Sequence, residues 1–466
     1  MKIQQIYTGC LAQGAYYIES NGEVAIIDPL REVQPYIDIA AKNNSKIKYI
    51  FETHFHADFV SGHVTLSEKS GAEIIYGPLA NPSFKVTIAK DNQVFKLGDI
   101  NIKVLHTPGH TMESSSYLLT DKEGNDHAIF TGDTLFLGDV GRPDLAQKSS
   151  ITKEELAGIL FDSLRKKIMP LADDLIIYPG HGAGSACGKN LSKETSGSLG
   201  EQKVTNYALR HDMTKEEFIK EVTYGLLLPP QYFPLNVKMN KHGYKDISEV
   251  IKSGTHSLNA EEFKKTANDN EALLLDVRSQ QEYAEGHIPN SIFVGIDGGF
   301  APWVGALIGD TLQPILLIIP EGREEETITR MARVGFDNTL GYLDGGFSTW
   351  KKASNEYETV NSISAKELSK NTDEVLVFDV REKSEFLSGR FPSALNTPLS
   401  LINDHLNEFP KNGRFFIHCA GGYRSMIAAS ILKSRGIHNF TDISGGFSAI
   451  KDANIKTTTY VCPSTL

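Results

Sequence analysis

The chain has 466 residues and a formal net charge of −11 at pH 7. This length is too great for a single hydrophobic core, so we expect two to four domains. The acidic balance argues against a nucleic-acid partner and against binding to an anionic membrane surface. No stretch approaches the roughly 18 apolar residues of a membrane span, and the start of the chain lacks the apolar segment of a signal peptide.

The cysteines are scattered along the chain and form no close pair, standing at Cys10, Cys187, Cys419 and Cys462. This pattern predicts free thiols in a reducing compartment, so we expect a cytoplasmic protein rather than a disulfide framework.

The first part of the chain alternates predicted strands and helices. Strands are predicted over residues 15–19 and 24–27, and a helix over 33–41. A further helix is predicted over 152–164, because acidic residues stand in its first turn and apolar residues recur at helical spacing. This alternation predicts sheets covered by helices, over a first domain of about residues 1–245.

A histidine motif follows the apolar residues 47–51, which predict a buried strand. Residues 53–59 read Thr-His-Phe-His-Ala-Asp-Phe. Side chains alternate with period two along a strand, so His54 and His56 are expected to project the same way, and Asp58 can join them. Imidazole and carboxylate together suit a transition metal such as zinc or iron.

Further candidate ligands lie just past other short apolar segments, on loops marked by Gly or Pro: His110, Asp133 and His181. Side chains delivered from successive strand ends to one rim can build a single site. The order and spacing of these segments resemble the metallo-β-lactamase superfamily. That resemblance implies an αβ/βα sandwich for the first domain, which periodicity alone would not indicate.

The rest of the chain contains an internal repeat. Residues 274–278 (LLDVR) match 377–381 (VFDVR), and the Gly-Gly-Phe-Ser at 345–348 recurs at 445–448. Several motifs at equal spacing predict two copies of one α/β unit, which we place at about 246–355 and 356–466. Both copies resemble rhodanese domains, which are small parallel-sheet folds that carry sulfur on a cysteine. The expected fold class is therefore α/β throughout.

The second copy carries a cysteine loop of sequence Cys-Ala-Gly-Gly-Tyr-Arg at residues 419–424, between a predicted strand and an apolar helix. Backbone N–H groups and the helix dipole at such a position favour an anion, so Cys419 is the expected nucleophile and Arg424 is expected to close over a persulfide or sulfite. Cysteine-based phosphatases use a similar loop that is one residue longer, so this loop is more similar to those of sulfurtransferases.

The first copy has no cysteine at the matching place. Residues 320–326 read Pro-Glu-Gly-Arg-Glu-Glu-Glu, and the run of glutamates would repel sulfite and disfavour a thiolate. We therefore expect this copy to be catalytically inactive.

The metal chemistry depends on Phe59, which stands where the common superfamily motif has a final histidine. Phenylalanine cannot bind a metal, and this argues against a hydrolase with two metal ions. The persulfide dioxygenase branch resembles this chain more closely, which implies a single Fe(II) held by His54, His110 and Asp133. Two histidines and one carboxylate leave open positions on ferrous iron for substrate sulfur and O₂. The remaining candidates are His56, Asp58 and His181. The resemblance implies that they orient ligands or water around the iron, and each could instead be a ligand if the metal were zinc.

The whole chain resembles fusions of a persulfide dioxygenase with a sulfurtransferase. In these, a low-molecular-weight thiol persulfide is oxidised by O₂ to sulfite, and sulfite takes sulfur from the cysteine (here Cys419) to give thiosulfate, which detoxifies sulfide. The partners expected from this resemblance are the persulfide, O₂, sulfite and further copies of the chain in a homo-oligomer. Cys187 is a possible sulfur relay, or an ordinary loop cysteine.

Two rival functions stay open from the residues. One is a zinc-dependent thioesterase of the glyoxalase II kind fused to a sulfurtransferase. The other is a regulatory protein that binds persulfide on Cys419 and hands sulfur to a partner. Metal content and O₂ consumption distinguish these from the dioxygenase.

Overall fold

The computed structural model describes residues 1–146, 151–189, 191–226, 228–371 and 376–458. They form two compact units: Met1–Ile247 with Ala332–Gly335, and Ser248–Met331 with the residues from Phe336 onward. Within these ranges, no helix combines the length and the apolarity that crossing a membrane requires. The domain boundaries at 245 and 355 stay predictions, and Cys462 lies outside the described residues.

The first unit is built from two mixed sheets and the helices around them. Its strands are β1 (Lys2–Thr8), β2 (Gln13–Ser20), β3 (Glu23–Ile27), β4 (Lys46–Glu52), β5 (Glu73–Tyr76), β6 (Thr87–Ile88), β7 (Val94–Leu97), β8 (Ile100–His106), β9 (Ser115–Thr120), β10 (Asp126–Gly132), β11 (Ile176–Pro179) and β12 (Gly197–Ser198). Its helices are α1 (Gln34–Lys42), α2 (His63–Ser70), α3 (Lys153–Ser163), α4 (Leu199–Thr205), α5 (Lys215–Thr223) and α6 (Phe233–His242).

The two sheets face each other across a shared core. One sheet has the order β1-β2-β3-β4-β5-β6 and the other the order β12-β11-β10-β9-β8-β7. Side chains from both sheets form the central core, among them Phe51 from the first and Phe130 from the second. Tyr36 on α1 packs on the outer face of the first sheet, and Leu160 on α3 packs on that of the second. The αβ/βα sandwich expected from the sequence is confirmed.

Local sequence sets where α3 begins. Thr152 accepts a hydrogen bond from the backbone N–H of Glu155, and the Glu155 side chain accepts one from the backbone N–H of Thr152. This capping box satisfies backbone donors that the first turn would otherwise leave unpaired. The helix predicted over 152–164 therefore begins where the acidic first turn indicated.

The second unit holds two copies of one fold. Its strands are β13 (Ser257–Leu258), β14 (Leu273–Asp276), β15 (Ile292–Phe293), β16 (Ile315–Ile318), β17 (Thr339–Leu343), β18 (Ser362–Ile363), β19 (Val377–Asp379), β20 (Ala394–Asn396), β21 (Phe415–His418) and β22 (Phe440–Ile443). Its helices are α7 (Ile247–Gly254), which begins at the boundary, α8 (Ala260–Asp269), α9 (Gln280–Glu285), α10 (Phe300–Leu307), α11 (Glu324–Arg333), α12 (Gly346–Lys352), α13 (Ala365–Leu368), α14 (Lys383–Ser388), α15 (Tyr423–Ser434) and α16 (Gly446–Asp452).

The internal repeat is visible in the strand order. The sheets run β13-β17-β16-β14-β15 and β18-β22-β21-β19-β20, which is the same permutation twice. All strand pairs in both sheets are parallel. The sequence match between the two halves therefore reflects one topology used twice, as expected for tandem rhodanese domains.

Each copy is braced by a buried ion pair from the repeated Asp-Val-Arg motif. In the first copy Arg278 Nη2 lies 2.6 Å from Asp276 Oδ2 and donates to the Gly286 carbonyl at 2.8 Å. In the second copy Arg381 makes the equivalent bonds to Asp379 and to the backbone of residue 389. These residues join a strand end to the following helix, so they hold the fold rather than perform chemistry.

We predict that Arg278→Met destabilises the first copy by about 3–5 kcal/mol, because it leaves the fully buried Asp276 carboxylate without its partner. Trp303 and Trp350, the chain's two tryptophans, both lie in this copy, so their fluorescence during urea unfolding reports on it. Arg323→Met is the matched control. Its partners are more exposed, and its loss should cost no more than about 1 kcal/mol. Equal shifts for the two variants would contradict a fold-holding role of the buried pair.

Candidate functional site

The candidate ligands of the first unit lie on loops that follow four strands. His54, His56 and Asp58 follow β4, and His110 follows β8. Asp133 directly follows β10, and His181 lies two residues past β11. All of these side chains are buried. Among the described residues, potential metal ligands fall into three separate buried sets rather than one.

The first set consists of His54, His110 and Asp133, whose ligand atoms all lie within 4.8 Å of one another. Asp133 Oδ2 is 3.5 Å from His110 Nε2 and 4.0 Å from His54 Nε2. This oxygen is buried and has no hydrogen-bond partner. An unpaired buried carboxylate oxygen is costly unless a cation or a donor is present.

Neighbouring groups hold the Nδ1 atoms of both histidines of this set, so that both Nε2 atoms point towards Asp133. His110 Nδ1 donates to the Arg142 carbonyl at 2.8 Å. His54 Nδ1 lies 2.9 Å from Thr53 Oγ1, whose hydroxyl donates to Asp28 Oδ2, so this nitrogen also carries its proton. Both Nε2 lone pairs are therefore free to face Asp133. Burial lowers the pKa of His54 well below its usual value, which keeps the ring neutral as a metal ligand requires.

The donor set thus fits a metal ion. Two imidazole nitrogens and one carboxylate oxygen converge with no hydrogen bonds among them, and the three residues are those expected as ligands from the sequence. This combination suits iron or zinc, and with iron it leaves coordination positions open to substrate.

The second set consists of Asp28, Glu52 and His56. His56 Nε2 lies 3.1 Å from Asp28 Oδ1 and 3.5 Å from Glu52 Oε2. The rings of His54 and His56 lie side by side, with centroids 4.2 Å apart, as expected from the sequence. The His56 Nε2 atom nevertheless faces Asp28 and Glu52 and does not join the first set.

In this second set the positive charge of His56 is compensated by the carboxylates beside it. Burial by itself would lower the pKa of His56, but Asp28 and Glu52 raise it to about 9, so the ring is protonated. Burial raises the pKa of Glu52 well above its usual value, which favours the neutral acid. One imidazolium then pairs with one carboxylate, and Asp28 also orients His54 through Thr53.

The third set consists of Asp58, His181 and Cys187. His181 lies between two carboxylates, with Nδ1 2.8 Å from Asp133 Oδ1 and Nε2 2.7 Å from Asp58 Oδ2. Burial raises the pKa of the Cys187 thiol, and the nearby carboxylates of Asp133 and Asp58 raise it further. Asp133 therefore joins two sets, with one oxygen directed to each.

Phe59 is fully buried and packs on His56, with the ring centroids 4.4 Å apart. The side chain that stands at the motif's final histidine position thus contributes apolar contact and no electron pair.

Sequence reasoning missed Asn240 on α6, which fixes the backbone of the motif. Its Nδ2 donates to the carbonyls of His56 and Phe59, at 2.8 Å each, and its Oδ1 accepts from the Ser61 N–H at 2.9 Å. Asn240 is fully buried and stands some 180 positions further along the chain. No local pattern marks it, because its role depends on a contact between distant segments. The nearby Tyr232 was missed as well. Tyr232 is buried, and this burial raises the pKa of its hydroxyl. The nearby side chains of Asp58 and Cys187 raise that pKa further.

In the second unit, Cys419 directly follows β21 and is buried. The backbone N–H of Gly422 donates to Cys419 Sγ at 3.1 Å. Gly422 adopts φ 103°, a conformation that favours glycine, and α15 begins at the next residue. The cysteine therefore precedes a helix N-terminus, as the sequence predicted, and its sulfur accepts from one backbone N–H of the loop.

The repeated Gly-Gly-Phe-Ser motif braces this loop. Phe447 N donates to the Cys419 carbonyl at 2.7 Å, and Ser448 N donates to the Ala420 carbonyl at 3.0 Å. Gly446 lies so close that a Cβ atom there would collide with the Cys419 carbonyl oxygen. The motif that revealed the repeat is thus the support of the cysteine loop.

Arg424 forms two hydrogen bonds to Glu385, at 2.6 and 2.8 Å. The pair lowers the pKa of Glu385 and raises that of Arg424. The guanidinium expected to close over an anion is therefore already paired with a carboxylate.

The cysteine-free copy contacts the same loop. The Tyr423 hydroxyl donates to the Gly295 carbonyl at 2.7 Å. A Cβ atom on Gly422 would lie 3.2 Å from the side-chain nitrogen of Gln280. The first copy therefore forms part of the surroundings of the second copy's cysteine.

Profiles of two families match the chain. That of the metallo-beta-lactamase superfamily matches residues 8–181, and that of the rhodanese-like domain matches residues 259–353 and 364–453. The cytoplasmic hydroxyacylglutathione hydrolase of Arabidopsis thaliana is 34% identical over 39% of this chain and 67% of its own length. The probable hydroxyacylglutathione hydrolase glo2 of Schizosaccharomyces pombe is 33% identical over 34% of this chain. The chain spans only 58% of that second relative's length.

Solved structures also resemble the chain. A metallo-beta-lactamase from Staphylococcus aureus subsp. aureus COL is 32% identical, with a TM-score of 0.65, covering 74% of this chain and 98% of its own. ETHE1 from Myxococcus xanthus is 27% identical over 52% of this chain and 98% of its own, with a TM-score of 0.44. The chain belongs to the metallo-beta-lactamase superfamily, and two rhodanese-like domains follow its metallo-beta-lactamase fold.

Proposed function

We propose that the chain is an iron-dependent persulfide dioxygenase coupled to a sulfurtransferase. It oxidises a low-molecular-weight thiol persulfide to sulfite with O₂, and it converts sulfite to thiosulfate through Cys419. The observation that carries this proposal is the set of His54, His110 and Asp133, whose ligand atoms lie within 4.8 Å of one another and include the buried Asp133 Oδ2, which has no hydrogen-bond partner. Two histidines and one carboxylate with open positions are typical of non-haem iron oxygenases.

The oxidation balances without a further reductant. One persulfide, one O₂ and one water give the thiol, sulfite and two protons, and the terminal sulfur supplies all the electrons that O₂ takes up. Fe(II) held by the three residues would supply the O₂-activating chemistry and bind the persulfide sulfur. The chain itself holds both imidazoles through Arg142 and Thr53, and it buries the set away from bulk water.

The transfer uses two displacements at sulfur. The Cys419 thiolate attacks the terminal sulfur of a second persulfide, the S–S bond breaks, and the thiol leaves. Sulfite then attacks the outer sulfur of the cysteine persulfide, which releases thiosulfate and restores the thiolate. The Gly422 N–H supports the negative sulfur. Arg424 forms its two side-chain hydrogen bonds with Glu385, so the Gly422 N–H is the group that contacts the sulfur directly.

The combination of the two units supports the proposal, because the first reaction makes the sulfite that the second consumes. We also propose a cytoplasmic location, a homo-oligomeric state, and partners limited to the persulfide, O₂ and sulfite, with no nucleic acid and no membrane. Cys187 stays a candidate for sulfur relay.

A zinc-dependent thioesterase fused to a sulfurtransferase is the second candidate. The names of the curated relatives, which are hydroxyacylglutathione hydrolases, favour it. The discriminating observations are the metal that co-purifies and the consumption of O₂ on a persulfide. A protein that holds zinc alone and cleaves a glutathione thioester without air would decide for this candidate.

We predict that Cys419→Ser leaves O₂ consumption on the persulfide intact while sulfite accumulates in place of thiosulfate. The variant removes the nucleophile of the transfer and leaves the first unit untouched. Both sulfur products are quantified by chromatography after derivatisation, with Cys10→Ser as the control that should still form thiosulfate. Unchanged thiosulfate in Cys419→Ser would remove the proposed role of this residue.

We predict that Asp133→Ala lowers bound iron at least about tenfold and abolishes O₂ uptake, because it removes one ligand and the acceptor that orients His181. Iron is measured by atomic emission on anaerobically purified protein, and O₂ uptake with an electrode. Asp162→Ala, at an exposed ion pair on α3, is the control and should behave as the unmodified protein. Full iron retention by Asp133→Ala would rule this residue out as a ligand.

A further inference from the structure

Three contacts pack the cysteine loop and α15 of the second copy against the first copy. The backbone N–H of Phe293 donates to Ser430 Oγ on α15 at 3.0 Å, and the Tyr423 hydroxyl donates to the Gly295 carbonyl at 2.7 Å. Gly298 lies so close that a Cβ atom there would be 2.2 Å from Tyr423 Cζ. These contacts hold the first copy beside the loop, so a side chain of the first copy can take part in the chemistry of the second.

Gln280 is the side chain of the first copy that lies against this loop. It is the first residue of α9, and a capping box between Ser279 and Glu282 holds that end of the helix. A Cβ atom on Gly422 would lie 3.2 Å from Gln280 Nε2 and 3.7 Å from the backbone nitrogen of Gly445. Two nitrogen donors therefore border the space that a side chain at position 422 would fill.

Both of these donors are unpaired. Across the described ranges of the chain, no hydrogen bond involves the Gln280 side-chain amide or the Gly445 N–H. The Gly422 N–H beside them donates to Cys419 Sγ at 3.1 Å. A Cβ atom on the exposed Gly421 would meet no described atom within 4 Å, so the loop is open to solvent on that side. Unpaired N–H donors beside an accessible sulfur nucleophile are suited to binding an oxyanion.

The charges of the loop point to the same donors. Arg424 is the one cationic side chain in residues 419–424, and Glu385 accepts hydrogen bonds from both of its outer nitrogens. The amide of Gln280 is neutral and carries two N–H groups, which bind sulfonate-type oxygens without competing for Glu385.

We propose that Gln280 binds the oxygens of sulfite as sulfite attacks the persulfide on Cys419, with the Gly445 N–H as a second donor. This assignment rests on the sulfur transfer proposed above and names the group that recognises its acceptor. The sulfite sulfur forms a bond to the outer sulfur, the S–S bond of the cysteine persulfide breaks, and its electron pair returns to the Cys419 thiolate. The outer sulfur lies about 2 Å beyond Sγ, so the oxygens of the acceptor stand further out over the loop, where the amide lies. The first copy thereby supplies the acceptor specificity of the second.

The half-reaction with sulfite tests this assignment on the full-length protein. The protein is loaded with glutathione persulfide, freed of excess persulfide by gel filtration and mixed with increasing sulfite, and mass spectrometry of the Cys419 peptide follows the loss of the persulfide. Gln280→Ala should raise the half-saturating sulfite concentration at least about tenfold, because it removes a hydrogen bond to a charged group. Gln280→Glu keeps the shape and adds a negative charge, so the increase should be at least as large.

Cyanide as the acceptor separates binding of sulfite from folding of the loop. Cyanide takes the same outer sulfur to give thiocyanate and carries no oxygen atoms, so its rate in Gln280→Ala should stay within about twofold of that of the unmodified protein. Gln281→Ala, at the exposed neighbour on the same helix, is the matched control and should leave the sulfite dependence unchanged.

The outcomes distinguish this assignment from the reaction on which it rests. An unchanged sulfite dependence in Gln280→Ala, or an equal loss toward sulfite and cyanide, would overturn the role of Gln280 and leave the transfer through Cys419 intact. A loaded, unmodified protein that releases no thiosulfate would overturn the transfer itself, and the role of Gln280 with it.

Discussion

The candidate metal site of the first unit depends on the contacts of the Asp133 carboxylate. One oxygen accepts from His181, and the other faces His54 and His110 without a partner. A buried carboxylate is expensive unless positive charge or hydrogen bonds compensate for it, so this side chain requires the imidazoles and a cation around it. Burial opposes its charged form, but His181 above all holds the pKa of Asp133 well below its usual range.

The fold makes this position possible through close packing at the strand end. Gly132, the last residue of β10, has φ 48°, and a Cβ atom there would lie 2.5 Å from Thr53 Oγ1. That hydroxyl orients His54, so the absence of a side chain at Gly132 lets two ligand-bearing loops approach each other. A glycine permits similarly close packing in the second unit, where Gly446 lies against the carbonyl of Cys419. Both sites therefore use glycine to bring backbone segments close enough for chemistry.

Different kinds of groups form the candidate sites of the two units. Nitrogen and oxygen donors, held by hydrogen bonds to their outer atoms, form the first set. The buried Cys187 thiol lies in a neighbouring set, whose His181 is hydrogen-bonded to Asp133. In the second unit the Cys419 sulfur instead accepts a hydrogen bond from the backbone N–H of Gly422, and the guanidinium of Arg424 on the same loop pairs with Glu385. Carboxylates beside Cys187 raise the pKa of its thiol, whereas a backbone N–H donates to the sulfur of Cys419, so the two buried cysteines have opposite electrostatic surroundings.

The sequence by itself determined the fold class, the tandem repeat, the cysteine loop and the identity of the buried candidate ligands. Those features depend on local spacing: period-two and helical patterns, glycine-marked turns, and motifs recurring at equal intervals. Only the tertiary structure decided how the ligands divide into sets. His56 directs its Nε2 at Asp28 and Glu52 although its ring lies beside that of His54, and Asn240 on a distant helix donates to the backbone of the loop. Side-chain direction beyond a strand end and contacts between remote segments have no signature in a single sequence, so they follow only from the folded chain.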